Sequence, residues 1–300
     1  MSTVEAPNFD YAFDLPEINE LDLYLAPHNS AADLPPQEVL SELFASHTIV
    51  IPEAVGANNS EEKTLNRVAQ GNQIAFDQVL EWAAASNNPE WKKTFYASLF
   101  GSGARVQLVD LHHRHPIHLA TSELEAYLLG SVPIIRNFDT ATETFHQLYQ
   151  HRLALLKERD QYILDGLARK IERSRRKVGT PQKSTSVYML YGDAHLSLVD
   201  ALLNKKAESS GSGLAINVDR SRAYDSEMHL IYADYLRGEA LTKTRSTYYM
   251  MSLIMRTVEL KKNPTAAMSD VDATVKDRLE GLSHDEMRQL RINALRSIQP

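Results

Sequence analysis

Val187–Leu203 reads VYMLYGDAHLSLVDALL. Five residues of strand-forming type run into a glycine, and a stretch with helical spacing of apolar residues follows. Gly192 permits a tight turn between the two. Asp193 suits a helix N-cap, which would place His195 in the first helical turn. A strand delivered straight into a helix is the building unit of an α/β fold.

Working outward, the same alternation recurs. LDLYLA (Leu21–Ala26), the β-branched HTIVIP ending at Pro52, ARVQLVDL (Ala104–Leu111) and LAINV (Leu214–Val218) read as the other strands. PPQEVLSELFAS carries Val39, Leu40, Leu43 and Phe44 at helical spacing, with Pro35 and Pro36 at its start. Further helices are expected over 61–68, 74–85, 90–99 and 122–130, the last ended by Gly130. Residues 138–177 read as one long helix whose apolar face holds Phe145, Tyr149, Leu153, Leu156, Ile163, Leu167 and Ile171. Helices over 224–237 and 242–261 follow the fifth strand, and the Tyr and Met residues of STYYMMSLIMRTV read as core. The expected fold class is α/β: a mostly parallel sheet of about five strands covered by helices. Residues 1–20 read as an arm and 21–262 as the α/β domain. Residues 263–300 read as a polar tail, loose or packed on a partner, with a terminal helix opened by a Ser283–Glu286 capping box.

Composition narrows the function. The 300 residues are 43% hydrophobic and carry a net charge of −7, so nucleic acid and acidic lipid are not expected partners. The absence of cysteine removes thiolate nucleophiles, disulfides and Cys-based metal sites. No signal peptide is visible, and the longest apolar run, near Tyr248–Met255, is far short of the ~20 residues that span a bilayer. The expected setting is cytoplasmic.

In parallel sheets, ligands gather at the C-terminal ends of strands. His28 follows the first strand, Glu53 the second, Asp110 ends the third, and His195 follows the fourth. At a helix start the dipole disfavours the imidazolium, so a neutral His195 is expected, fit to be a general base or metal ligand. Arg159 shares the apolar face of the long helix and needs an anionic partner, with Glu53 and Asp193 as the candidates. The run DLHHRHPIHLA holds His112, His113, His115 and His118. These lack the i, i+4 spacing of a helical zinc motif, and Arg114 repels a cation, so the run reads as a loop on a pocket rim. KIERSRRKV reads as a helix end where cations suit the dipole.

Together these residues resemble the erythromycin-esterase-like, ChaN-like and TraB/TIKI-type superfamily. His28 in LYLAPHNS, Glu53 in IVIPEAVG, Arg159-Asp160 in ERDQYI and Gly192 with His195 in YGDAHL stand in that superfamily's order. The resemblance covers about residues 21–220. It departs at the first motif: the superfamily's Gly and Glu precede the histidine where Leu25 and Ala26 stand here, with Pro27 next. The resemblance implies hydrolysis of an ester or amide bond in a small molecule or peptide, with His28, Glu53, Arg159 and His195 as the catalytic group. It leaves open a divalent metal (Mn or Zn, with Glu53, His195 and His28 as candidate ligands) or metal-independent catalysis. The rivals are a binding or assembly protein on the same fold, with a protein partner or second copy on the C-terminal helices, and a haem or metal carrier.

Overall fold

The computed structural model describes residues 18–26, 34–53, 58–86, 88–178, 185–192, 195–208, 214–220, 227–263, 266 and 268–298. The chain falls into two compact units. One holds residues 8–118 and 157–223, and the other 1–7, 119–156 and 224–300.

The first unit is built on five parallel strands in the order β3-β2-β4-β1-β5. These are β1 (Glu20–Leu25), β2 (Ile49–Pro52), β3 (Arg105–Val106), β4 (Ser186–Tyr191) and β5 (Ala215–Arg220). Strand parity sorts the side chains. Leu21, Leu23, Leu25, Ile49, Ile51, Val187, Met189 and Tyr191 face one side. There they meet Ile163, Leu164, Leu167 and Ile171 of α6 (Phe138–Val178) and Leu198, Ala201 and Leu202 of α7 (Leu196–Glu208). Val50, Tyr188 and Leu190 face the other side. They pack on α1 (Gln37–Ser46), α2 (Asn59–Ala69), α3 (Gln73–Ala84) and α4 (Pro89–Leu99) through Leu40, Phe44, Leu65, Val79 and Phe95. Each such side chain, fully buried, contributes about 1.5–3 kcal/mol. A sheet covered on both faces explains why its strands read as near-continuous apolar runs.

The third strand is shorter than the eight residues expected over 104–111. Its ladder with β2 runs through the Arg105 and Gln107 N–H groups to Thr48 and Val50 C=O, and the next donor from β2 would be Pro52, which has no N–H. Val106 and Leu108 face the open side, where α2 meets them. The Asn66 amide accepts from Val106 N–H (3.0 Å) and donates to Val106 C=O (2.8 Å). Glu62 accepts from Leu108 N–H (3.0 Å). Side chains thus take the hydrogen bonds that a further strand would have made, and the sheet edge is closed. Gly166 has a related role on the opposite side. A Cβ there would meet Val109 Cγ1 at 2.9 Å, so only glycine lets α6 approach this closely.

The second unit is helical. α5 (Pro116–Ala126) begins six residues before the expected start at Ser122, inside the histidine run, with proline at its first position. Gly130 does not end it. The chain continues through a π-helical turn, Tyr127–Ser131, and a 3-10 turn, Val132–Ile134. Residues 138–156 of α6 belong to this unit. With them are α8 (Glu227–Leu236), α9 (Lys243–Lys262), α10 (Met268–Leu279) and α11 (His284–Ile298). Tyr249, Met250, Met251, Ile254 and Met255 of α9 are buried, as core spacing required. The polar tail is not loose. α10 and α11 pack on α9 and bury Val271, Val275, Leu279, Met287 and Ala294. Ser283 caps α11: its hydroxyl donates to Glu286 Oε2 (2.6 Å), which also accepts the Ser283 N–H (2.7 Å). Among the described residues no helix is long and apolar enough to cross a membrane.

Candidate functional site

The connections after β1 and β2 run over one face of the sheet, and those before and after β4 over the other, so β4 borders a point where the winding reverses. Such a reversal opens a crevice at the strand ends. Glu53 stands there because it continues β2. Its N–H donates to Leu190 C=O (2.7 Å), and its place two residues after Ile51 aims its side chain toward α6. Gly192 continues β4, and its N–H donates to Glu53 Oε2 (2.5 Å). His195 directly precedes α7, one residue short of the expected helical turn, with its N–H on Gly192 C=O (3.2 Å).

From α6, Arg159 and Asp160 reach the same place. Arg159 is 9% exposed. Its Nε donates to Asp110 Oδ1 (2.9 Å), and Nη2 donates to Asp110 Oδ2 (2.5 Å) and Glu53 Oε1 (2.6 Å). His195 lies between two carboxylates: Nδ1 bonds Asp160 Oδ1, and Nε2 bonds Glu53 Oε1 (3.2 Å). The Ser197 hydroxyl donates to the second Asp160 oxygen. Comparison with known protein families, with curated proteins and with solved structures finds no match.

The structure therefore gathers Glu53, Arg159 and His195 of the expected group. His28 and Asp193 lie outside the described residues. Arg159 has Glu53 as a partner, but its bidentate partner is Asp110, which the sequence marks only as a strand end. Asp160, next to Arg159 in the chain, was not singled out as the partner of His195. Since Arg159 turned inward only on apolar spacing, that neighbour was the available signal.

The electrostatics overturn the expected neutral His195. Burial alone would push its pKa down, and Arg159 pushes the same way. The Asp160 and Glu53 carboxylates outweigh both and raise it to about 10. The helix-start dipole, at most ~2 kcal/mol in buried geometry, cannot compete with two direct carboxylate contacts. Among the described residues Asp110 is taken up by Arg159 and Asp160 by His195, while Glu53 accepts from Arg159, His195 and the Gly192 N–H. Glu53 is also the carboxylate nearest solvent, 12% exposed against 0% for Asp110 and 1% for Asp160. Tyr191 closes the inner wall, edge-on to the His195 ring at 5.2 Å between centroids. Its buried hydroxyl has no hydrogen-bond partner among the described residues, and burial pushes its pKa well up, so it stays a neutral donor.

The described donors do not fit a metal ion. Both His195 nitrogens face carboxylates, and Glu53 is held by Arg159, His195 and Gly192. Among the described residues no three His, Asp or Glu are arranged to hold one. In the histidine run, the His112 and His113 rings lie 4.0 Å apart, and His115 sits against Tyr162.

Proposed function

We propose that this protein hydrolyses an ester or amide bond, with Glu53 as the group that moves the proton. The observation that carries the reading is the hydrogen-bonded line Asp160–His195–Glu53 at the reversal point of the sheet, ending in the carboxylate that among the described ones of this cluster lies nearest solvent. A water held on Glu53 would attack the carbonyl carbon, and its proton would pass to the carboxylate. The charge forming on the carbonyl oxygen would sit beside the Arg159 guanidinium. As the intermediate collapses, Glu53 would return the proton to the departing oxygen or nitrogen. His195 and Asp160 act as positioning residues. They hold Glu53 and balance its charge, and His195, already protonated, is not the base. The superfamily resemblance of the sequence supports the same bond class.

The test is turnover of nitrophenyl esters and of a peptide panel, with and without Mn²⁺. Glu53→Gln is expected to lose roughly 10²–10⁴-fold in rate, the usual contribution of a general base, while keeping its circular dichroism. No turnover by folded parent protein, or full activity in Glu53→Gln, would overturn the reading.

One observation favours a binding protein instead. Leu25 and Ala26, which replace the superfamily's Gly and Glu, are buried, and the Ala26 N–H bonds Tyr191 C=O (2.9 Å). That position offers the site no carboxylate.

A further inference from the structure

Beyond β3, at the closed edge of the sheet, lies a cleft of about 340 Å³. It adjoins the ion cluster through Asp110 but is lined by none of Glu53, Arg159 or His195. One wall is a stripe of α6: Tyr162, Gly166, Arg169, Lys170 and Arg173 recur at the three- and four-residue spacing of a single helix face. The facing wall is the start of α2 with Asn58 and Asn59, and Leu108 and Val109 form an apolar floor.

The charge in this cleft runs against the chain's net −7. Three cations meet Glu62 and Asp110. Asp110 is already held by Arg159, and Glu62 by Lys170 (3.2 Å) and the Leu108 N–H. Neither Arg169 nor Arg173 has a carboxylate partner among the described residues. Arg169 spends only Nε, on Asp165 C=O (3.1 Å). His112 adds a donor: its Nδ1 accepts the Arg114 N–H (3.2 Å), which leaves the proton of the neutral ring on Nε2. The α2 start does not itself offer a free anion seat, because Asn58 Oδ1 takes the Ser60 and Glu61 N–H groups (2.8 and 3.2 Å).

We infer that this cleft binds a small molecule carrying a multiply charged oxyanion, a phosphate or a di- or tricarboxylate, seated between Arg169 and Arg173 with its apolar part on Leu108 and Val109. Two guanidinium forks are the side chains that match such oxygens bidentately. The volume suits a small ligand rather than a polymer. The inference does not depend on the hydrolase reading, because its test is binding and not turnover.

Calorimetric titration with inorganic phosphate and, separately, with tricarballylate tells the two oxyanion sources apart. Saturable binding of one equivalent of either probe is expected. Arg169→Gln combined with Arg173→Gln should weaken it by roughly tenfold or more, since each lost fork is a charge-assisted contact. Both arginines are exposed, so this variant should keep the parent's circular dichroism. The charge-matched control, Lys205→Gln with Lys206→Gln, changes α7, which packs on β5 at the opposite edge of the sheet. It should leave affinity within about twofold, because screening mutes distant charges. No saturable binding of either probe, or equal losses in the two variants, would overturn the inference. An inactive protein that still binds would count against the hydrolase reading alone.

Discussion

Replacing Arg159 by methionine tests the ion cluster most directly. Methionine keeps much of the side-chain bulk along α6 and removes the charge and donors. Three charge-assisted bonds go at once, two to Asp110 and one to Glu53. Simple addition at ~1.5–3 kcal/mol each would overstate the loss, because bonds made by one group are not independent. The controlling term is the anion left behind. Asp110 has a fully buried side chain, and its remaining donor among the described residues is the Leu111 N–H (2.7 Å). Breaking a buried pair from one side costs about 3–5 kcal/mol. Urea unfolding followed by circular dichroism at pH 7 measures this directly. The double variant Arg159→Met with Asp110→Asn supplies the control, since a neutral amide carries no orphaned charge. It should recover at least ~1–2 kcal/mol relative to Arg159→Met alone, which is a coupling typical of residues in contact. An Arg159→Met protein within about 1 kcal/mol of the parent would refute the reasoning, because surface substitutions already fall in that range. So would a double variant as unstable as the two single losses added together.

Two further outcomes follow from the same structure. Because the folded protein holds the His195 pKa at about 10, above the ordinary value of 6.5, the stability from its pairing is complete below pH 6.5. It is lost as pH rises toward 10, so unfolding midpoints of the parent should fall across pH 7–10 more steeply than those of His195→Gln, and parallel curves would contradict the assignment. At the sheet edge, Asn66→Leu strands the N–H of fully buried Val106, at about 1–3 kcal/mol, while its C=O keeps the Gln107 Nε2 donor (3.0 Å). A loss near ~1–3 kcal/mol in urea unfolding is expected, and one below ~0.5 kcal/mol, the surface range, would mean that Asn66 does not close the edge.

Much of the architecture was legible in the chain because its signals are local. Alternating strand and helix patterns, Pro and Gly punctuation and the 3.6-residue face of α6 depend on neighbours a few positions away. They sufficed for an α/β fold with a parallel sheet, for burial of Tyr249 and the α9 methionines (Tyr248 is only half-buried), and for an inward Arg159. The place of Glu53 directly after the second strand likewise put it at the strand ends.

What only the tertiary structure decided was partnership across long chain separations. The order β3-β2-β4-β1-β5 put Gly192 against Glu53, 139 positions away, and made a crevice between β2 and β4. Close approach of α6 at Gly166, next to Val109, accompanies the pairing of Arg159 with Asp110. The state of His195 was decided in the same way. Its helix-start position argued for a neutral ring, and two carboxylates brought from α6 and β2 reversed that. The outer edge of the third strand was closed by Asn66 and Glu62 of α2, which take the outward hydrogen bonds of Val106 and Leu108. A local pattern states which way a side chain turns, whereas a buried charge or backbone group is settled by what it meets there, because its desolvation must be offset by a specific partner.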